Sequence, residues 1–95
     1  MSYIRFYVAT FTEKVYRDME LRAGGKTARI GLFNKSHLKI ILLSGALDLI
    51  LKDKEEILTK TYYDNAGVCF DGETSNYLSF QFESLKGAKF EYELF

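Results

Sequence analysis

Ser36-His37-Leu38-Lys39-Ile40-Ile41-Leu42-Leu43-Ser44-Gly45-Ala46-Leu47-Asp48-Leu49-Ile50-Leu51-Lys52 is the stretch whose reading decides the fold. Wound as a helix, at about 100° per residue, it spreads its apolar side chains around the whole circle. A small domain rarely surrounds a helix completely. Read as two strands joined at Ser44-Gly45, it puts Leu38, Ile40 and Leu42 on one face, then Leu47, Leu49 and Leu51 on one face. The paired isoleucines are β-branched and fit a pleated surface. Two strands are therefore expected, with one short helix within 36–58 as the alternative. A helix over 13–21 is the weaker candidate, because the apolar spacing there suits a strand better.

Outward from this stretch the same period of two recurs. Leu78, Phe80 and Phe82 alternate with Ser79, Gln81 and Glu83. After Leu85-Lys86-Gly87-Ala88 the alternation resumes, with Phe90, Tyr92 and Leu94 against Lys89, Glu91 and Glu93. The pair predicts a hairpin with one buried face. Ile4, Phe6 and Val8 alternate with Tyr3, Arg5 and Tyr7 in the same way. Segments 15–22 and 27–33 flank Ala23-Gly24-Gly25-Lys26 and read as a second hairpin, its glycines supplying the positive φ of a tight turn. Proline is absent, so the turns fall to Gly, Asn, Asp, Ser and Lys. The turn signals recur at intervals of about 8–12 residues, the spacing of an all-β fold. The fold class expected is mainly β: one antiparallel β-sandwich, barrel or meander spanning residues 1–95 as a single domain.

Composition supports this. Of the 95 residues, 47% are hydrophobic, and 8 Phe and 7 Tyr dominate the aromatic share, so core material is plentiful. One cysteine, Cys69, cannot make an internal disulfide. The first residues show no basic segment leading into a long apolar run, and the apolar run at 38–51 is broken by Lys39, Ser44, Gly45 and Asp48 and too short to span a bilayer. A cytoplasmic protein with no membrane partner is expected. Net charge is zero, yet unevenly spread: residues 1–47 hold eight Lys/Arg and three acids, residues 48–95 five Lys and ten acids. The two charge sets either segregate on the surface or mix as strands from both halves interleave.

The catalytic and metal patterns are sparse. His37 and Cys69 are the sole His and Cys, which argues against a structural zinc site, and no cofactor is expected. Cys69 lies between Val68 and Phe70, the setting of a small buried hydrophobe rather than a nucleophile. Asp64-Asn65-Ala66-Gly67 and Asp71-Gly72-Glu73 read as turns, lacking the ligand spacing of a calcium loop. Gly24-Gly25-Lys26-Thr27 imitates the end of a P-loop. The position five before Gly25 is Glu20, however, and a strand pattern follows where a helix is needed.

Two functional readings survive. The first is a non-enzymatic protein-interaction domain, of the kind found among small inhibitors and accessory proteins of phages or mobile elements, and homodimeric. It would use the acidic C-terminal strands (Glu83, Glu91, Glu93) or the strand edge ending at Phe95. The second is a single-stranded nucleic-acid binder, using Arg22, Lys26, Arg29 and Lys39 against phosphates and Tyr16 and Phe33 against bases.

Overall fold

A computed structural model describes residues 14–32 and 35–95. The decisive stretch forms two strands, β4 (His37–Gly45) and β5 (Leu47–Asp53). Leu38, Ile40, Leu42, Leu47, Leu49 and Leu51 are all buried, as the alternation requires. The helix alternative fails: described residues between 36 and 58 contain no helix. β4 and β5 do not pair with each other. Gly45, at φ +83°, turns the chain from one sheet into the other.

Seven further strands complete the described fold: β1 (Val15–Leu21), β2 (Gly25–Lys26), β3 (Ile30–Gly31), β6 (Leu58–Tyr63), β7 (Gly67–Glu73), β8 (Tyr77–Ser84) and β9 (Ala88–Leu94). They form two antiparallel sheets. One runs β1-β9-β4-β7; the other runs β2-β8-β5-β6, with β3 also on β8. The chain alternates between sheets at almost every step, the double-sheet arrangement of a jelly roll. The β5–β6 link is the one described connection joining sequence neighbours as a paired hairpin, in register Leu49↔Thr61. Asp53 Oδ1 closes it by accepting from the Glu55 and Ile57 amides.

This topology corrects both expected hairpins. β9 has the predicted alternation, and β8 has it from Phe80 onward, Leu78 being exposed at a register shift; but β8 pairs with β5 and β9 with β1 and β4. They face one another across the core: Phe82 meets Phe90 at 4.6 Å and Phe80 meets Tyr92 at 5.4 Å between ring centroids. Likewise β1 lies on β9, while β2 and β3 lie on β8, so the Gly-Gly turn is a crossing between sheets. The reason is that inward alternation looks the same for a strand's neighbour and for the strand opposite it.

The expected C-terminal edge is also overturned. β9 is an interior strand, with β1 on one side and β4 on the other. Phe95, just beyond it, exchanges backbone hydrogen bonds with His37.

Two crossings lock together at one end. Ala46 N–H donates to Gly87 O, Ser84 Oγ donates to Ala46 O, and Gly87 N–H donates to Ser84 Oγ. The β4–β5 and β8–β9 links thus satisfy each other's buried polar groups.

Candidate functional site

The outer face of the β1-β9-β4-β7 sheet collects the residues opposite the core. Inward Leu38, Ile40 and Leu42 place His37, Lys39 and Ile41 outward on β4. On β9 the outward set is Lys89, Glu91 and Glu93, and on β1 it is Tyr16, Asp18 and Glu20. Cross-strand register then sets the rows. One runs Tyr16, Glu93, Lys39, Asp71; the next runs Asp18, Glu91, Ile41, Val68.

Six carboxylates therefore share this face: Asp18, Glu20, Asp71, Glu73, Glu91 and Glu93. Lys39 and Lys89 lie among them. The Tyr16 hydroxyl sits 2.5 Å from Glu91 Oε2 and 3.0 Å from Asp18 Oδ1. The hydrogen bond to Glu91 above all, reinforced by Asp18, raises the phenol far beyond its ordinary range. Lys14 Nζ lies 3.2 Å from Glu93 and 5.3 Å from the Phe95 ring centroid. His37 Nε2 meets Asp71 Oδ1 at 2.5 Å, and its ring stacks on Phe95 at 4.9 Å.

An apolar corner adjoins the carboxylates. Val68, across from Ile41, is 57% exposed, and Leu43 is 51% exposed. Both lie where the ladders are irregular: the β4–β7 register shifts at Ile40/Ile41 and the β4–β9 register at Leu42/Ser44. The β4–β7 bulge, with Cys69 as its extra residue, turns Val68 outward, while Leu43 faces out by the alternation that buries Leu42.

The acidic residues expected to act together are divided. Glu91 and Glu93 share the face just described, whereas Glu83 lies on the outer face of the other sheet. There it stands across from Asp48 and Lys26 and takes Lys60 Nζ at 3.0 Å. Its hydrogen bond holds the Lys60 ammonium above its ordinary range.

The basic set is divided too. Lys39 and Tyr16 belong to the first face and are separated by Glu93. Lys26 and Arg29 flank the β2–β3 link on the other sheet, and Arg22 sits in the crossing turn. Phe33 lies outside the described residues, as does the alternating segment from Tyr3 to Val8. The Gly24-Gly25 turn is held by Gly24 N–H to Ser84 O and Gly25 N–H to Arg22 O, and leads into strand, not helix.

Cys69 is half-buried, with Sγ 3.5 Å from Ile40 O, and burial pushes its thiol up. An activated thiol is shifted the other way. Among the described residues no three His, Cys, Asp or Glu side chains converge as a metal cluster.

The apolar corner and the His37–Asp71 contact were not singled out from sequence. The signal for Ile41 was present, since inward Ile40 and Leu42 force it outward. Leu43 follows from inward Leu42 in the same way, but the bulge that exposes Val68 leaves no such mark.

No family model matches the chain, and no curated protein matches it. Solved structures do share its fold. An oxalate decarboxylase from Bacillus subtilis superposes with a TM-score of 0.68 at 15% identity, over 85% of this chain and 20% of that one. Peruvianin-I, a cysteine peptidase from Thevetia peruviana latex, gives 0.66 at 14% identity, over 85% of this chain and 49% of that one. Drosophila melanogaster CENP-C, solved bound to CAL1, gives 0.63 at 10% identity, over 81% of this chain and 62% of that one. The same protein's cupin domain is among the matches. The chain spans less than two thirds of each of these proteins. At such identity the likeness is one of fold, that of a cupin domain. Its neighbours include enzymes and a protein-bound domain, so fold alone does not assign an activity.

Proposed function

We propose that this chain is a protein-interaction domain that acts by binding rather than catalysis. It engages its partner through the outer face of the β1-β9-β4-β7 sheet. The observation that carries this reading is the exposed apolar corner of Leu43 and Val68 set on the same sheet face as Glu91 and Asp18. An exposed apolar patch rimmed by charge is what a recognition surface presents. The partner's surface is then basic, with an apolar contact that fills the corner. The carboxylates would steer the encounter and the corner would supply the desolvated anchor. That a domain of this fold, CENP-C, has been solved bound to CAL1 supports the reading.

The test compares affinity capture by four baits: wild type, Leu43→Asp, Glu91→Lys/Glu93→Lys, and Glu83→Lys. Any protein retained by wild type is purified and titrated against all four. Leu43→Asp and the double reversal should each weaken binding at least tenfold. Glu83→Lys, on the opposite sheet, should bind as wild type does. Equal affinity across all four variants would remove this face as the binding surface.

A further inference from the structure

Among the described residues the two sheets have four edges, and three of them are guarded. β1 carries Arg17, Asp18 and Glu20 along its length. β7 has a bulge opposite Ile40/Ile41, glycines at both 67 and 72, and carboxylates at Asp71 and Glu73. β2 and β3 are two residues each. Charges, bulges and brevity are the devices that stop a sheet edge from pairing with another chain.

β6 has neither bulge nor brevity, and a single charge. Leu58-Thr59-Lys60-Thr61-Tyr62-Tyr63 is six residues long and pairs with β5 without a register shift. Its residues are β-branched, aromatic or aliphatic apart from one lysine, a composition that favours pairing. Among the described residues nothing lies on its outer side. Leu58 through Tyr62 are all exposed, including Thr59 and Thr61, which point to the core side of the sheet. Lys60, the one residue that could guard the edge, is drawn away from it: its ammonium reaches back across β5 to Glu83 on β8.

We infer that β6 pairs antiparallel with β6 of a second copy of this chain, making one continuous sheet through both molecules. Side chains directly across an antiparallel pair share a face, so a two-fold pairing must centre on a residue and match like parity. Two centres use five residues of the strand. Centring on Lys60 sets the two lysines directly opposite, which is repulsive. Centring on Thr61 gives Thr61 with Thr61, Lys60 with Tyr62, and Thr59 with Tyr63. This second register places no like charges together and lets each Tyr62 ring cover the partner's Lys60 stem. The strand thus complements itself, which an edge evolved for an unrelated strand has no need to do. The pairing is independent of whether the β1-β9-β4-β7 face binds a partner.

The experiment measures mass by light scattering on the full chain at submillimolar concentration, for wild type and Thr61→Glu. Thr61 is exposed, so glutamate is accommodated in the monomer, and circular dichroism checks that the fold is kept. Wild type should show twice the 11.0 kDa chain mass, and Thr61→Glu the chain mass alone. Register is read separately by oxidation of single-cysteine variants in a Cys69→Ser background. Thr61→Cys should cross-link to itself, since paired Cα atoms about 4.5–5.5 Å apart suit a disulfide. Thr59→Cys should not. A wild type that stays at the chain mass overturns the inference. So does a Thr61→Glu variant that remains doubled, or a cross-link at 59 in place of 61.

Discussion

At the scale of single residues the structure makes its sharpest demands at glycines. Gly45 has φ +83°, and a Cβ built there would stand 2.1 Å from Gly87 O. Gly24 has φ +79° with nothing within 4 Å of such a Cβ. Both alanine variants incur the left-handed penalty of about 1–2 kcal/mol. At Gly45 a backbone collision is added, because the two locked crossings leave no room to move. Chemical denaturation should therefore show Gly24→Ala costing about 1 kcal/mol, and Gly45→Ala about 3 kcal/mol or more, the top of the ordinary range. Equal costs would mean that the crossings yield.

The titrating residues make a second demand. Burial raises the Cys69 thiol above its usual 9.0 and the Tyr63 and Tyr92 phenols above their usual 10.0. The unfolded chain loses these protons first, so from about pH 9 upward the folded state holds more protons than the unfolded one. Stability must then fall as pH rises through that window. Denaturation midpoints measured from pH 7 to 11 should decline above pH 9. Tyr92→Phe, which removes a titrating group from the core, should flatten the decline above pH 10. A midpoint constant across the range would contradict the burial of all three groups.

At the scale of elements, the strands were legible and their partners were not. Alternation names the inward residues of β4, β5 and β9 correctly, and those of β8 from Phe80 onward, because water on one side and core on the other impose it on each strand alone. Leu78, expected inward, is 43% exposed where the β5–β8 register shifts. Pairing is a relation between strands. Phe80, Phe82, Phe90 and Tyr92 bury one contiguous aromatic cluster whether β8 and β9 lie side by side or face to face. Only the crossing geometry at Ser84–Gly87 separates the two cases. It depends on Ser84 Oγ meeting Ala46 O, a contact 38 residues apart in the chain. The candidate site inherits the same gap. Glu83 was grouped with Glu91 and Glu93 because a hairpin would make them neighbours; the crossing sends Glu83 to the other sheet. Val68, in the exposed apolar corner, was hidden for a related reason, since its bulge belongs to the ladder and not to either strand's own pattern.

At the scale of the whole molecule, the sheets answer what becomes of the unequal charge halves. Each sheet draws strands from both halves: β1 and β4 join β7 and β9 in one, and β2 and β3 join β5, β6 and β8 in the other. Basic and acidic segments are therefore interleaved, as Lys39 between Glu93 and Asp71 shows. The same interleaving makes β9 indispensable. Among the described residues it is the sole neighbour of β1, it is the inner neighbour of β4, and it delivers Phe90, Tyr92 and Leu94 to the core. Had β9 been an edge, a chain cut after Ser84 would lose one outer strand and keep a core. Because it is interior, the cut strands β1, opens one side of β4 and leaves Phe80 and Phe82 without their aromatic partners. Removing even one buried Phe costs about 3–5 kcal/mol, comparable with the whole stability of a small domain. A chain ending at Ser84 should then show collapsed amide dispersion in its NMR spectrum and no cooperative thermal transition. Adding residues 85–95 back as a separate peptide should restore both, since β9 enters through backbone pairing on two sides at once. A folded, cooperative 1–84 fragment would show that the four-stranded sheet closes without its second strand, against the order β1-β9-β4-β7.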